Sequence, residues 1–371
     1  MKEMTSIVGV IFSSINEENV PELTKLRSMG SIPYGGRYRL VDFPLSNMVN
    51  SGITTVGMIT KNNYQSLMDH LGSGKYWDLA RKEGGLILLP PYSGESETLY
   101  KNRLEALKGA TAFLKKCKED FVVLADSDAV YKLDYSKVIE YHIEKNADIT
   151  MVYHEHEYVK SHYNMVFETA KDGRITDIEI NSTSSGVKKN YINVMVARTS
   201  YLLRLIQDAI QHGYTSFGRD ILSPGVKTYN LYAYKFEGYY ANINSLCSYF
   251  NANMELLDKN VRTEIFGDRA IYTKVNDSAP AKFADTAKVK NSLISDGCLI
   301  EGTVENCVLF RGVKIGKGTV VKNCIIMTDN IIGENCNLAY VVSDKNSVIR
   351  DNRVLAGCEL QPYFINKGSL I

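Results

Sequence analysis

The chain has 371 residues, and its 43 basic and 42 acidic side chains leave a net charge of +1, which gives no reason to expect nucleic acid or a membrane surface as partner. Its length exceeds one ordinary core, and a hydrophobic content of 44% is ample for two, so two domains are expected. No apolar run approaches the ~20 residues of a membrane-spanning helix. Met1-Lys2-Glu3-Met4 leads into an apolar strand and not a secretory leader, so a cytoplasmic protein is expected.

Short apolar runs at 7–13, 55–60, 121–125 and 149–154 read as buried parallel strands. Helical patterns fall at 44–50, 64–71, 99–114 and 135–145. This alternation predicts a Rossmann-like α/β domain with a mostly parallel sheet and helices on both faces. Ligands of such sheets bind outside the carboxyl ends of the strands, which puts a site in the loops after Phe12, Thr60 and Ala125. The stretch 161–197, with Asp172-Gly173 between apolar runs, predicts an antiparallel flap. A helix over 246–257 closes the domain. Residues 1–262 therefore form the first domain, 263–285 a linker and 286–371 a second domain.

In that last part Leu309, Ile315, Val321 and Met327 recur every six residues, with Cys307, Val313, Thr319 and Ile325 two places before each. A six-residue period predicts a left-handed parallel β-helix in which one aliphatic side chain per flat side points inward. Such a prism serves as an assembly and regulatory module. The cysteines Cys298, Cys307, Cys324 and Cys336 fall on it without a Cys-x-x-Cys, and read as inert small apolar fillers. No histidine lies there to act as general base, which sets aside hexapeptide acyltransferase chemistry.

The run Gly35 to Asn47 (Gly-Gly-Arg-Tyr-Arg-Leu-Val-Asp-Phe-Pro-Leu-Ser-Asn), with Asn50-Ser51-Gly52-Ile53 after it, closely resembles bacterial and plant glucose-1-phosphate adenylyltransferases. The likeness continues through Leu89-Pro90-Pro91-Tyr92, the run from Asp128 to Tyr135, Phe217-Gly218-Arg219-Asp220-Ile221, Asn251-Ala252-Asn253-Met254 and the hexapeptide region. It covers essentially the whole chain. The resemblance implies a nucleotidyltransferase-like first domain and a family reaction joining ATP to glucose 1-phosphate, giving ADP-glucose and pyrophosphate for glycogen synthesis. That chemistry needs a glycine-rich turn cradling the triphosphate, basic groups on the reacting phosphoryl, and carboxylates on Mg²⁺.

Measured against that family pattern, the catalytic positions are degenerate. Where the family carries a glycine-rich phosphate loop, this chain has Ser13-Ser14-Ile15-Asn16-Glu17-Glu18, and no glycine lies between Gly9 and Gly30. Glu17 and Glu18 bring negative charge to the expected place of the triphosphate. Met29 stands for a phosphate-contacting lysine, Asn181 lies near the place of a sugar-phosphate lysine, and Lys61 stands for a glutamine beside the adenine site. Of the family's metal carboxylates, Asp128 remains, in a vestigial role, and Asn242 replaces its partner. A second possibility is that Asp126, two places from Asp128 on one side of a strand, shares the metal.

The pattern resembles the GlgD-type regulatory subunit. This implies a chain with little or no activity of its own, occupying a heterotetramer with a catalytic glucose-1-phosphate adenylyltransferase subunit that holds the Mg²⁺. Arg37 and Arg39 are the candidate contacts for a sugar-phosphate effector, the alternative being structural pairing with Asp42. An active nucleotidyltransferase with a divergent phosphate loop, or a non-enzymatic effector-sensing scaffold, are the competing readings. His154 and His156 alternate on a predicted strand and read as its half-exposed end, since no third ligand has metal spacing nearby.

Overall fold

The computed structural model describes residues 6–61, 63–91, 100, 102–157, 164–182 and 185–371. The chain divides into two compact units, one of residues 1–15, 43–127 and 131–240, the other of 16–42, 128–130 and 241–371.

The first unit is built on a nine-stranded sheet. Its parallel part comprises β1 (Ile7–Phe12), β2 (Thr55–Ile59), β3 (Gly85–Leu89) and β4 (Phe121–Asp126), in the order β4-β1-β2-β3. Because the chain leaves β1 toward β2 and later returns to its other side at β4, the strand order reverses between β1 and β4, where a crevice opens at the carboxyl ends. Val8 and Val10 of β1 and Val122 and Val123 of β4 are fully buried, as continuous apolar runs require. Beyond β4 lie β5 (Ile149–Glu157), β6 (Met165–Thr169), β7 (Ile175–Ile180), β8 (Val187–Arg198) and β9 (Leu231–Lys235). The long β8 runs antiparallel to β4, β5 and β6, which converts the parallel core into a mixed sheet. The flap is the β6–β7 hairpin, turned by Asp172 and Gly173. Gly173 has φ 88° and a Cβ there would lie 2.3 Å from the Tyr141 hydroxyl, so glycine is required twice over. Residues 161–163 of the predicted flap, with Tyr92 and Leu99, lie outside the described residues.

The helices of this unit follow their sequence signals. Helix α1 (Asp42–Asn50) precedes β2, and α2 (Gln65–Leu71) follows it. In α3 (Arg103–Lys116) the side chain of Asn102 accepts from the Glu105 amide, and Asp134 caps α4 (Tyr135–Glu144) through the Ser136 amide. Along α5 (Thr199–Gln211) the buried residues Leu202, Leu205, Ile206 and Ala209 repeat at helical spacing.

The second unit carries the left-handed parallel β-helix as three five-stranded parallel sheets. Ile300, Ile315, Ile332 and Ile349 stack in register on one side, and Val304, Val321 and Leu338 on another, all at most 1% exposed. The third side corrects the six-residue rhythm, since Leu309 stacks on Ile326 and not Met327. One flat side of that coil spans five residues, so the inward position advances by one. Cys298, Cys307, Cys324 and Cys336 are buried free thiols. Helix α6 (Leu246–Glu255) opens with a capping box of Ser245 and Ser248, and α7 (Lys259–Phe266) extends into the stretch read as linker. Lys282–Phe283 already pair in the first coil, so within 263–285 the residues outside helices and strands are 267–281 and 284–285.

Segment 16–42 is part of this unit and is tied to α6 and the β-helix. The Tyr34 hydroxyl donates to the Ala252 carbonyl (2.9 Å), Tyr249 to Pro33 (2.7 Å), and the Gly35 amide to Asn253 Oδ1 (2.9 Å). Ser295 Oγ donates to the Gly36 carbonyl, and a Cβ on Gly36 would lie 2.6 Å from that Oγ. The Gly-Gly pair is therefore a packing device.

Candidate active site and effector cluster

In the first unit the loop after β1 continues the sheet where a phosphate cradle would leave it. The Ser13 amide and hydroxyl both donate to the Ile59 carbonyl, at 3.1 and 2.8 Å, and Ser13 Oγ lies 3.3 Å from Ser14 Oγ. Both serines are buried. An anion nest needs amides aimed outward at the ligand, and the Ser13 amide is already committed.

Asp126 ends β4, opposite Phe12 of β1. It is 2% exposed and paired with Arg103 at the start of α3, Nε to Oδ1 at 3.0 Å and Nη2 to Oδ2. Burial pushes its carboxyl up from the usual range, and the guanidinium pulls it back. The expected metal-sharing Asp126 is thus engaged by Arg103 through both carboxylate oxygens. Sequence reading missed Arg103, whose only signal is a basic residue in a first helical turn, where acids are the usual choice. Lys61 sits with its Nζ 5.7 Å from the centroid of the Tyr100 ring. Asn181, at the exposed end of β7, has φ 55° and donates its amide to Asn164 O.

In the second unit the Asn16 side-chain amide donates to Asp128 Oδ2 at 2.9 Å, and the Asp128 carbonyl accepts from the Ile243 amide. The Asn16 amide thus occupies one of the two carboxylate oxygens that a divalent cation at Asp128 would use. Asn242 next along the strand supplies no charge to offset the cation's desolvation. Glu17 accepts from the Met29 amide at 3.3 Å, while Glu18 is exposed in a short 3₁₀ turn. The two glutamates thus differ: one ties its own loop, the other faces solvent. Met29 is fully buried, a core residue where the family has a lysine.

Basic side chains gather elsewhere in this unit. Arg27 makes a two-pronged pair with Asp344, at 2.7 and 2.8 Å, both side chains being about 5% exposed or less. Next to Asp344, Lys345 has its ammonium pushed down to about 7 by burial first and then by Arg39 and Arg27, with Asp344 pulling the other way. Arg39 also sends its backbone N–H to Asp42 Oδ2 (2.9 Å). Arg37 is exposed, its guanidinium 5.7 Å from the Tyr38 ring centroid. Burial and Arg37 lower the Arg311 guanidinium, whose buried Nε has no hydrogen-bond partner in the structure. Arg27, Arg311 and Lys345 escaped the sequence reading because they are remote in the chain. The cleft lined by Asp208, Tyr214, Asp220 and Tyr229, and the β-helix groove between Lys288, Glu301, Lys317 and Glu334, contain none of the predicted residues.

These features sit in a chain whose residues 19–259 match the nucleotidyl transferase family model and whose residues 279–361 match the GlmU-like C-terminal hexapeptide model. Glucose-1-phosphate adenylyltransferase of Clostridium botulinum is 36% identical over 86% of this chain and 84% of its own length. The chain belongs to the glucose-1-phosphate adenylyltransferase family. Within that family it is also similar to the glycogen biosynthesis protein GlgD of Bacillus subtilis, 35% identical over 98% of this chain and 96% of that protein. The adenylyltransferase of Fervidobacterium nodosum is 32% identical over 96% of this chain. Membership supports a role in glycogen biosynthesis. Among the described residues no helix is long and apolar enough to cross a membrane.

Proposed function

We propose that this chain is a regulatory, catalytically weak subunit of glucose-1-phosphate adenylyltransferase, acting in the cytoplasm on a catalytic partner in a heterotetramer. The observation that carries the reading is Asn16 on Asp128: the remaining family metal carboxylate already holds a neutral amide from the loop that should bind phosphate. Ser13, folded back on Ile59, and Asp126, clamped by Arg103, support it within the first unit. Removing one preorganised charge or donor typically costs ~3 kcal/mol, or 10²- to 10³-fold in rate, and these losses are several even if not additive. Mg²⁺ then belongs to the catalytic partner, and these residues do not fit a productive site for it.

Regulation follows from linkage. A subunit whose interfaces or effector affinity differ between two states of the oligomer biases its partner between them. The effector groups are Arg37 and Arg39, joined by Lys345 and Arg311, and the ligand class is a phosphate-bearing sugar. An orphaned guanidinium Nε and a depressed ammonium favour an anion at this cluster.

The test is to assay ADP-glucose formation by the chain alone, by a catalytic subunit alone, and by the mixture. The expected result is negligible turnover alone and altered kinetics or effector response in the mixture. Turnover by the isolated chain equal to the mixture would instead favour a working enzyme with a divergent loop. Unchanged kinetics in every mixture would favour a scaffold.

A further inference from the structure

Strand β5 ends in His154-Glu155-His156-Glu157, and period-two spacing sends both imidazoles to one face. Their Nδ1 atoms lie 3.1 Å apart, with ring centroids 5.2 Å apart. Both rings pack beside Tyr240, at 5.5 and 5.6 Å, and His154 also lies 6.0 Å from Phe236. Both histidines are half-buried while Glu155 and Glu157 face solvent. Among the described residues this part of β5 pairs with β8, the register with β9 stopping at Tyr153.

Two neutral imidazoles at this separation share one proton, one Nδ1 donating and the other accepting. When the donor ring takes its other tautomer, with the proton on Nε2, both Nδ1 atoms carry lone pairs and the two can chelate. A metal at the usual ~2.0–2.1 Å from each nitrogen would see them at about 95–102°, between the square-planar and tetrahedral angles. We propose that His154 and His156 form a chelating site for a late divalent transition metal ion of the Zn²⁺, Ni²⁺ or Cu²⁺ class, separate from the family's Mg²⁺ position.

Four further observations fit. Imidazole is a preferred donor for these ions, and geometry with ligand type selects them over Mg²⁺, which takes oxygen. Both rings lie against Tyr240, which holds their orientation. Asn190 Nδ2 donates to the His156 carbonyl at 3.0 Å, fixing the backbone from which the ring projects. Among the described residues no group of three or more His, Cys, Asp or Glu could hold a metal ion, so the two imidazoles are the protein ligands of the proposed site. The ion would clamp the end of β5, and its occupancy would stiffen the β5–β8 pairing there.

The experiment is calorimetric titration of the untagged, full-length chain with Zn²⁺ and with Ni²⁺, alongside H154Q, H156Q and H212Q. Loss of a ligand should cost at least the 10- to 100-fold that loss of a ligand's outer partner costs. Binding weakened tenfold or more by H154Q and by H156Q, and unchanged by H212Q, is the expected result. Melting temperatures without metal should match across the four proteins, and only the parent and H212Q should be raised by Zn²⁺. Absence of binding, or binding that survives H154Q and H156Q, would overturn the proposal. So would loss that follows H212Q, since exposed His212 beside Asp208 is the competing surface site.

Discussion

Arg27 and Asp344, 317 residues apart in sequence, are joined through Nη2 to both carboxylate oxygens at 2.7 and 2.8 Å in the interior of the second unit. Asp344 also accepts the Lys345 amide, and burial first, then the same carboxylate, push the Tyr249 hydroxyl up. The pair fixes the segment before the Gly-Gly turn onto the last coils of the β-helix. D344A leaves a buried guanidinium uncompensated, and is expected to destabilise the chain by roughly 3–5 kcal/mol. Urea unfolding checks it, and a loss under ~1 kcal/mol would show that water reaches Arg27.

Arg103 and Asp126 behave alike in the first unit. R103M strands a carboxylate that is 2% exposed, and should also cost roughly 3–5 kcal/mol. Adding D126L removes the second charge and should recover most of that stability. Failure of the double variant to recover would mean that the pair's geometry, and not its charge balance, holds the end of β4.

Lys345 gives the basic cluster of the second unit a pH dependence. Its folded value of about 7 lies below the ordinary 10.5. The unfolded chain therefore holds the proton more tightly, and the stability associated with this group is present above 10.5 and lost as pH falls through about 7. An anion reverses that preference by favouring the ammonium. Sulfate, which does not titrate in this range, should bind tighter at pH 6 than at pH 8.5, with proton uptake readable from the buffer dependence of the calorimetric enthalpy. K345M should abolish the pH dependence; a profile unaltered by that variant would remove Lys345 from the cluster.

His142 is an acid-sensitive point. Burial, and then Arg198, bring its imidazole down to about 4 from 6.5, and its Nδ1 lies 2.9 Å from Thr150 Oγ1. A depressed value stabilises the fold above pH 6.5, and that contribution disappears as pH falls through about 4. The ceiling is roughly 3 kcal/mol. Thermal melts at pH 7 and pH 4.5 should show a larger drop for the parent than for H142Q.

In the β-helix the inward stack predicts that I326A costs roughly 2–5 kcal/mol through the cavity it leaves opposite Leu309. The exposed ladder Lys290–Glu305–Lys322 should contrast, with E305A barely moving the unfolding midpoint. Equal effects would mean that the coil is held by its surface.

Much of the architecture was legible because periodicity is local. The apolar runs that became β1, β2, β4 and β5 and the helical pattern over 135–145 that became α4 are written within a few residues each. The six-residue rhythm from Leu309 to Val321 likewise announced the β-helix. It misplaced Met327 because a coil shortened by one residue is visible only when the next coil stacks on it. Of the candidate site, the losses at Ser13, Met29 and Asn242 could be read from residue type. Their consequences could not: Ser13 is sealed onto Ile59, Met29 is core, and Asp128 holds Asn16.

The sequence by itself determined the fold family, the hexapeptide coil and the absence of the glycines and lysine that phosphate chemistry needs, because backbone permissiveness and side-chain charge belong to single residues. Tertiary structure alone decided that Arg103 pairs with Asp126, that Arg27 closes on Asp344, and that burial, Arg39 and Arg27 depress Lys345. Those outcomes depend on distance and desolvation between residues far apart in the chain, and no local pattern encodes either.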